Sequence, residues 1–133
     1  MKTAFCEANE QVLRLAEKYT VAEISFDPWR AGALARGWET RGLKTVVFPF
    51  SDARVIPAAS ELYDAICEGK LTHDGDETLA RHMALVVGKA TRRGMRIDKA
   101  NESDQIDAAS ALLMAHESVT QPPPEPTKVL GWI

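Results

Sequence analysis

Residues 21–49 read VAEISFDPWRAGALARGWETRGLKTVVFP, and this stretch decides the fold. Val21–Phe26 reads as a strand with Ala22, Ile24 and Phe26 on one face, and β-branched Val21 and Ile24 suit a pleated surface. Pro28 disfavours helical geometry at the residue before it, so the strand runs out at Asp27. Proline has no N–H to give a ladder, yet it is tolerated in the first turn of a helix. From Trp29 to Arg41 the spacing is helical, with Ala33, Leu34, Gly37 and Trp38 on or near the face of Trp29, and Gly42 supplies the stop. Leu43–Phe48 is a second strand, closed by Pro49. Strand, helix and strand in this length make a right-handed βαβ unit with two parallel strands.

Outward from this unit the pattern is mostly helical. Upstream, Phe5, Ala8, Val12, Leu15, Ala16 and Tyr19 recur at helical steps over residues 4–19. Downstream, Val55, Ala58, Ala59, Leu62, Ala65 and Ile66 form a stripe that ends at Gly69. His73–Asp76 has turn chemistry, and a helix carrying Leu79, His82, Met83, Val86 and Val87 is capped near Asp76. Residues 88–102 are polar and basic, with a turn at Gly94. A last helix is expected from about Ser103 to Glu117, with Ile106, Ala109, Ser110 and Leu113 inward. Pro122, Pro123, Pro124 and Pro126 end regular structure, which divides the chain into a domain over 1–119 and an extended or disordered tail over 120–133, where Trp132 and Ile133 could dock. There is no internal repeat. Two parallel strands do not make a stable sheet. Further strands must come from the 88–102 segment and a partner, or part of a larger sheet is missing from the chain.

Composition narrows the class. The chain has 133 residues, 45% hydrophobic and 26% charged, which fits one globular domain or a fragment of one and excludes wholesale disorder. No apolar run approaches the ~20 residues of a membrane span. The N-terminus lacks the long apolar core of a secretory signal. Two cysteines, Cys6 and Cys67, are too few for a disulfide framework or zinc ribbon, and a reducing cytoplasm fits them best. A net charge of −3 argues against affinity-driven nucleic-acid binding, though not against an enzyme that meets DNA through a local basic strip. Lys89, Arg92, Arg93, Arg96 and Lys99 form such a strip, with Asp98 as its lone acid; a solvated loop and a phosphate contact both explain it.

Two aspartates could carry chemistry. Asp27 falls at the carboxyl end of a parallel strand, where open α/β sheets place ligands. On local sequence it is better explained as the cap of the helix that starts at Pro28. Asp107 lies near the start of the last helix with Asp104 three residues before it, a spacing that suits first-turn capping. Alternatively, carboxylates converging from distant positions bind Mg²⁺ or Mn²⁺, which take oxygen ligands and can clamp the oxygens of a phosphodiester. On local sequence the capping explanations win. The histidines do not fall at zinc-ligand spacing, and His82, beside Leu79 and Met83, reads as a buried, hydrogen-bonded imidazole. Gly88-Lys89 lacks the rest of a Walker loop, and there is no Gly-x-Ser-x-Gly elbow or cysteine–histidine pair.

The order of motifs adds what no single motif shows. Phe26-Asp27-Pro28-Trp29 at a strand end is followed by a helix ending at Gly42-Leu43 and a second strand. Next come Leu62-Tyr63-Asp64-Ala65-Ile66, Gly69-Lys70-Leu71-Thr72-His73-Asp74-Gly75-Asp76 and Leu79-Ala80-Arg81-His82. A basic linker and Asp104-Gln105-Ile106-Asp107-Ala108-Ala109-Ser110-Ala111-Leu112 complete the series. From about Val12 to Glu117 it resembles the C-terminal nuclease domain of the large terminase subunit of tailed bacteriophages. The resemblance implies an α/β, ribonuclease-H-like fold, here partial: a small parallel βαβ sheet with several flanking helices. It implies cleavage of concatemeric double-stranded DNA during packaging, with acidic residues and Mg²⁺ or Mn²⁺ in a two-metal site. It raises Asp27 and Asp107 to catalytic metal ligands, with Asp104 a lesser metal candidate by proximity. Partners implied are the rest of the large subunit, the small subunit and the portal, in the cytoplasm of a bacterial host carrying a phage or prophage.

Departures from the family pattern qualify this. The family's first strands, with their first acid, and its ATPase motor would precede Met1, so the chain is expected to be inactive alone. The region Met83–Gly88 lacks an asparagine that often follows the matching histidine. Two rival functions remain open: a non-catalytic prophage remnant or assembly module whose sheet edges self-associate, and a small α/β binding domain.

Overall fold

The computed structural model describes residues 2–121. The proline-rich tail with Trp132 and Ile133 lies outside them. The order of elements is α1 (Lys2–Lys18), β1 (Ile24–Phe26), α2 (Pro28–Thr40), β2 (Thr45–Val47), α3 (Asp52–Cys67), α4 (Glu77–Ala84), β3 (Val86–Thr91), β4 (Gly94–Lys99) and α5 (Asp107–Thr120). β1 and β2 pair in parallel, Ile24 with Thr45 and Phe26 with Val47, across the α2 crossover. Both strands are shorter than expected, because only three residues of each find ladder partners.

The 88–102 segment supplies further strands, one of the two alternatives, but in a separate sheet and starting at Val86, which was expected in the preceding helix. It is an antiparallel hairpin, β3 with β4, in a second two-stranded sheet. Cross-strand partners share a face, so Lys89 and Arg96 stand on one side together with Thr91 and Asp98. Ile97 points the other way, onto the core built on α3. Arg92 and Arg93 form the turn. Their backbone keeps negative φ, and Gly94 follows at φ 131°. Thr91 closes the turn, its Oγ1 accepting from Arg93 N at 3.1 Å and donating to Gly94 O at 2.8 Å.

Two hydrophobic clusters hold the fold. Phe48, Val55, Ala58, Leu62 and Leu113 join β2's end, α3 and α5. Phe26, Ala35 and Trp38 join β1 and α2, with Val12 and Leu13 of α1 packed against them. Trp38 satisfies its indole by donating Nε1–H to Asn9 Oδ1 at 3.0 Å. The α2 core face is therefore Ala31, Leu34, Ala35 and Trp38, rotated from the expected one, and Trp29 is 94% exposed. α1 is rotated in the same sense: Leu15 and Tyr19 are exposed, and Val12 and Leu13 carry the contact.

α5 begins at Asp107 and not near Ser103. Its N-cap residue is Ile106. Asp104 stays in the preceding turn, where its Oδ2 accepts from Asn101 N at 3.1 Å and Asn101 Nδ2 at 3.2 Å, so Asp104 and Asp107 are not a capping pair. Further along α5, buried Glu117 meets Arg54 of α3. Arg54 Nη2 donates to Glu117 Oε2 at 3.2 Å, while Nε lies 2.9 Å from Oε1 without hydrogen-bond alignment.

Candidate nuclease site

β1 delivers Asp27 to the start of α2. The carboxylate caps that helix: Oδ1 accepts from Trp29 N at 3.0 Å, with the backbone extended at φ −78° and ψ 120°. Capping engages one of two carboxylate oxygens. The same residue lines an open cavity of about 970 Å³. Asp107 enters that cavity from the first position of α5, and Arg30 connects the two elements, its Nη1 lying 4.0 Å from Asp107 Oδ1. Capping and cavity lining thus coexist at Asp27, and Asp107 faces the cavity with no cap function.

The structure brings Asp27, Asp104 and Asp107 to one cavity, together with Lys89, Arg96 and Lys99 of the basic strip. Strand alternation sorts that strip. Lys89 pairs with Asp98 at 3.6 Å. Arg96 is committed to the fold: Nη1 donates to Asp52 at the start of α3, and Nη2 donates to Phe50 O at 3.2 Å. Lys99 Nζ donates to Glu102 O at 2.6 Å. Arg92 and Arg93 sit at the hairpin tip and do not line the cavity. The Lys99 backbone N–H, donated to Asp98 Oδ1 at 2.8 Å, holds that carboxyl below its ordinary range, with the Lys89 and Arg96 charges in support.

Reading the sequence missed Arg30 and Asp52 as cavity residues. Arg30 stands three residues after Asp27, on the first turn of α2, but its contact with Asp107 crosses to another element and leaves no signal in local spacing.

Whether a divalent cation fits can be judged from the donors. Asp27 and Asp107 offer hard carboxylate oxygens from separate elements, both exposed enough to exchange a partner. No group of three or more His, Cys, Asp or Glu side chains poised for a metal occurs among the described residues. Mg²⁺ commonly takes only one or two carboxylates and completes its shell with water and substrate phosphate. Two carboxylates here fit that mode of binding and no all-protein cage.

Comparisons with known proteins bear on the fold and the family. The solved structure of the HK97 bacteriophage large terminase superposes with a TM-score of 0.71 at 19% identity, covering 84% of this chain and 24% of that one. The likeness shows a shared ribonuclease-H-like fold, and the chain spans about a quarter of that terminase's length. No curated protein matches. The family model of the terminase large subunit, endonuclease domain, matches residues 1–121, and the chain belongs to that family.

Proposed function

We propose that the chain is the endonuclease segment of a phage terminase large subunit and serves metal-dependent cutting of concatemeric double-stranded DNA during genome packaging. The observation that carries this is the convergence of Asp27 and Asp107, from β1's end and α5's start, on one cavity. Asp27 and Asp107 would hold Mg²⁺ or Mn²⁺, and a cation bound there lowers the pKa of water and offsets charge on a phosphodiester. Arg30, Lys89 and Lys99 line the same cavity and would meet phosphate oxygens; Arg92 and Arg93 would touch the duplex farther out, at the hairpin tip. Arg96 contributes by holding β4 against α3. A third carboxylate, from another segment of the large subunit or another chain, would complete a two-metal site. The remainder of the large subunit, the small subunit and the portal are its partners in a bacterial host, and the gene is of phage or prophage origin.

In a complete large subunit, Asp27→Asn and Asp107→Asn each abolish cleavage of linear concatemers in Mg²⁺ or Mn²⁺ while leaving DNA binding in place. Cleavage at wild-type rate by either variant refutes the assignment.

A second reading, an assembly module, draws on the exposed Val47 of a two-stranded sheet. Light scattering distinguishes it: concentration-dependent dimers favour it, and a dilute monomer does not.

A further inference from the structure

His82 on α4 is one of two buried polar side chains among the described residues, at 7% exposure, and the proposed chemistry does not use it. Its environment assigns it a task. The first N–H groups of any α-helix lack intrahelical acceptors and need partners. α2 takes its cap from Asp27, and α4 from Asp76, whose Oδ1 accepts from Leu79 N at 2.8 Å. α5 has no such residue: Ile106 occupies the N-cap position at φ −125° and ψ 19°, and makes no side-chain cap bond. Instead, His82 Nδ1 accepts from Ala108 N at 3.0 Å, across 26 residues of sequence. An acceptor Nδ1 carries its lone pair, so the neutral ring's proton sits on Nε2.

We infer that His82 is a positioning residue that caps α5 through the Ala108 N–H and thereby fixes Asp107, the adjoining residue, at the cavity. Its link to metal rests on the proposed role of Asp107; the cap itself does not. Packing alone would be served by any side chain of similar volume. Capping requires an acceptor at one place, and asparagine Oδ1 stands close to where histidine Nδ1 stands.

The test compares His82→Asn with His82→Leu in the 133-residue chain. Amide exchange of Ala108 is followed by NMR, and Mn²⁺ binding by calorimetry. Capping predicts that His82→Leu speeds Ala108 exchange relative to the α5 interior and weakens Mn²⁺ binding about tenfold, the usual cost of losing a group that orients a metal ligand. His82→Asn restores both readouts to within about threefold. Equal behaviour of the two variants, or wild-type exchange at Ala108 in His82→Leu, overturns the inference. If the wild-type chain shows no Mn²⁺ heat, the metal reading falls, and Ala108 exchange still decides the cap. Should His82→Leu fail to fold, nitrogen spectra of the wild-type imidazole decide: an unprotonated Nδ1 with a protonated Nε2 is required, and a protonated Nδ1 overturns the assignment.

Discussion

Arg30 and Asp107 face each other across the cavity mouth, guanidinium to carboxylate at 4.0 Å, and so connect the first turn of α2 to the first turn of α5. Both side chains are largely exposed, so the pair contributes little to stability. Its consequence is electrostatic. Arg30→Ala should change unfolding free energy by less than about 0.5 kcal/mol. Removing a cation beside the proposed metal ligand should tighten Mn²⁺ binding roughly threefold. Calorimetry checks this; weaker binding in Arg30→Ala contradicts it.

Asp27 caps α2, and that role separates by substitution from its proposed hold on a metal. Asparagine caps a helix as well as aspartate does, and alanine does not. Asp27→Asn should therefore unfold within about 0.5 kcal/mol of wild type, and Asp27→Ala about 1 kcal/mol earlier. Both should lose metal binding equally. Urea denaturation paired with a metal titration reads the two effects apart.

The Arg54–Glu117 contact joins α3 to α5, with Arg54 also 5.0 Å from the centroid of the Phe48 ring. Glu117 is 8% exposed, so removing its partner strands a buried carboxylate. Arg54→Leu should cost about 2 kcal/mol. Replacing Glu117 by Gln as well should recover part of that loss, because a neutral amide is easier to leave unpaired. A double-mutant cycle that shows additivity would refute the coupling.

Glu23 carries a pH dependence. Lys44 Nζ donates to its Oε2 at 2.8 Å and Ser118 Oγ donates to its Oε1, and together they hold the Glu23 carboxyl below its ordinary range. A carboxyl whose folded pKa is depressed stabilises the fold above its unfolded value, and that stability is lost as pH falls through the folded one. Glu23→Gln should lower the Tm at pH 7, and the gap to wild type should close below about pH 4. A gap that persists in acid would mean that the charge is not responsible.

The hairpin depends on Gly94, whose φ of 131° suits a residue without Cβ. An added Cβ would also come within 3.0 Å of Ile56 Cγ2 on α3. Gly94→Ala should cost about 1 kcal/mol or more in urea, through β4's seat on α3.

The βαβ unit was legible because Pro28, Gly42 and Pro49 punctuate it and Ile24 and Phe26 alternate cleanly. The hairpin was legible only in its turn at Gly94 and as one of two alternatives for residues 88–102. Its residues Lys89, Thr91, Arg96 and Asp98 turn their charged and polar groups to the cavity, and Gly88, Ala90 and Met95 make a weak apolar face, so the alternation that marks a strand is missing. α2's rotation was missed at Trp29: a large aromatic at helical spacing reads as core, yet the first turn projects it outward beside Asp27. The order of motifs singled out Asp27 and Asp107, and the structure brings both to one cavity. Arg30 and the cap from His82 were not legible, because both are contacts between elements, which spacing along the chain does not encode.

Convergence of Asp27 and Asp107 on a divalent cation is open to one calorimetric comparison: Mn²⁺ titrated into the wild-type chain, Asp27→Asn and Asp107→Asn at the same pH. Saturable heat from the wild type, lost in both variants while their folds stay intact, is the expected result. Binding that survives either substitution, or no heat from the wild type at millimolar metal, would contradict a shared site.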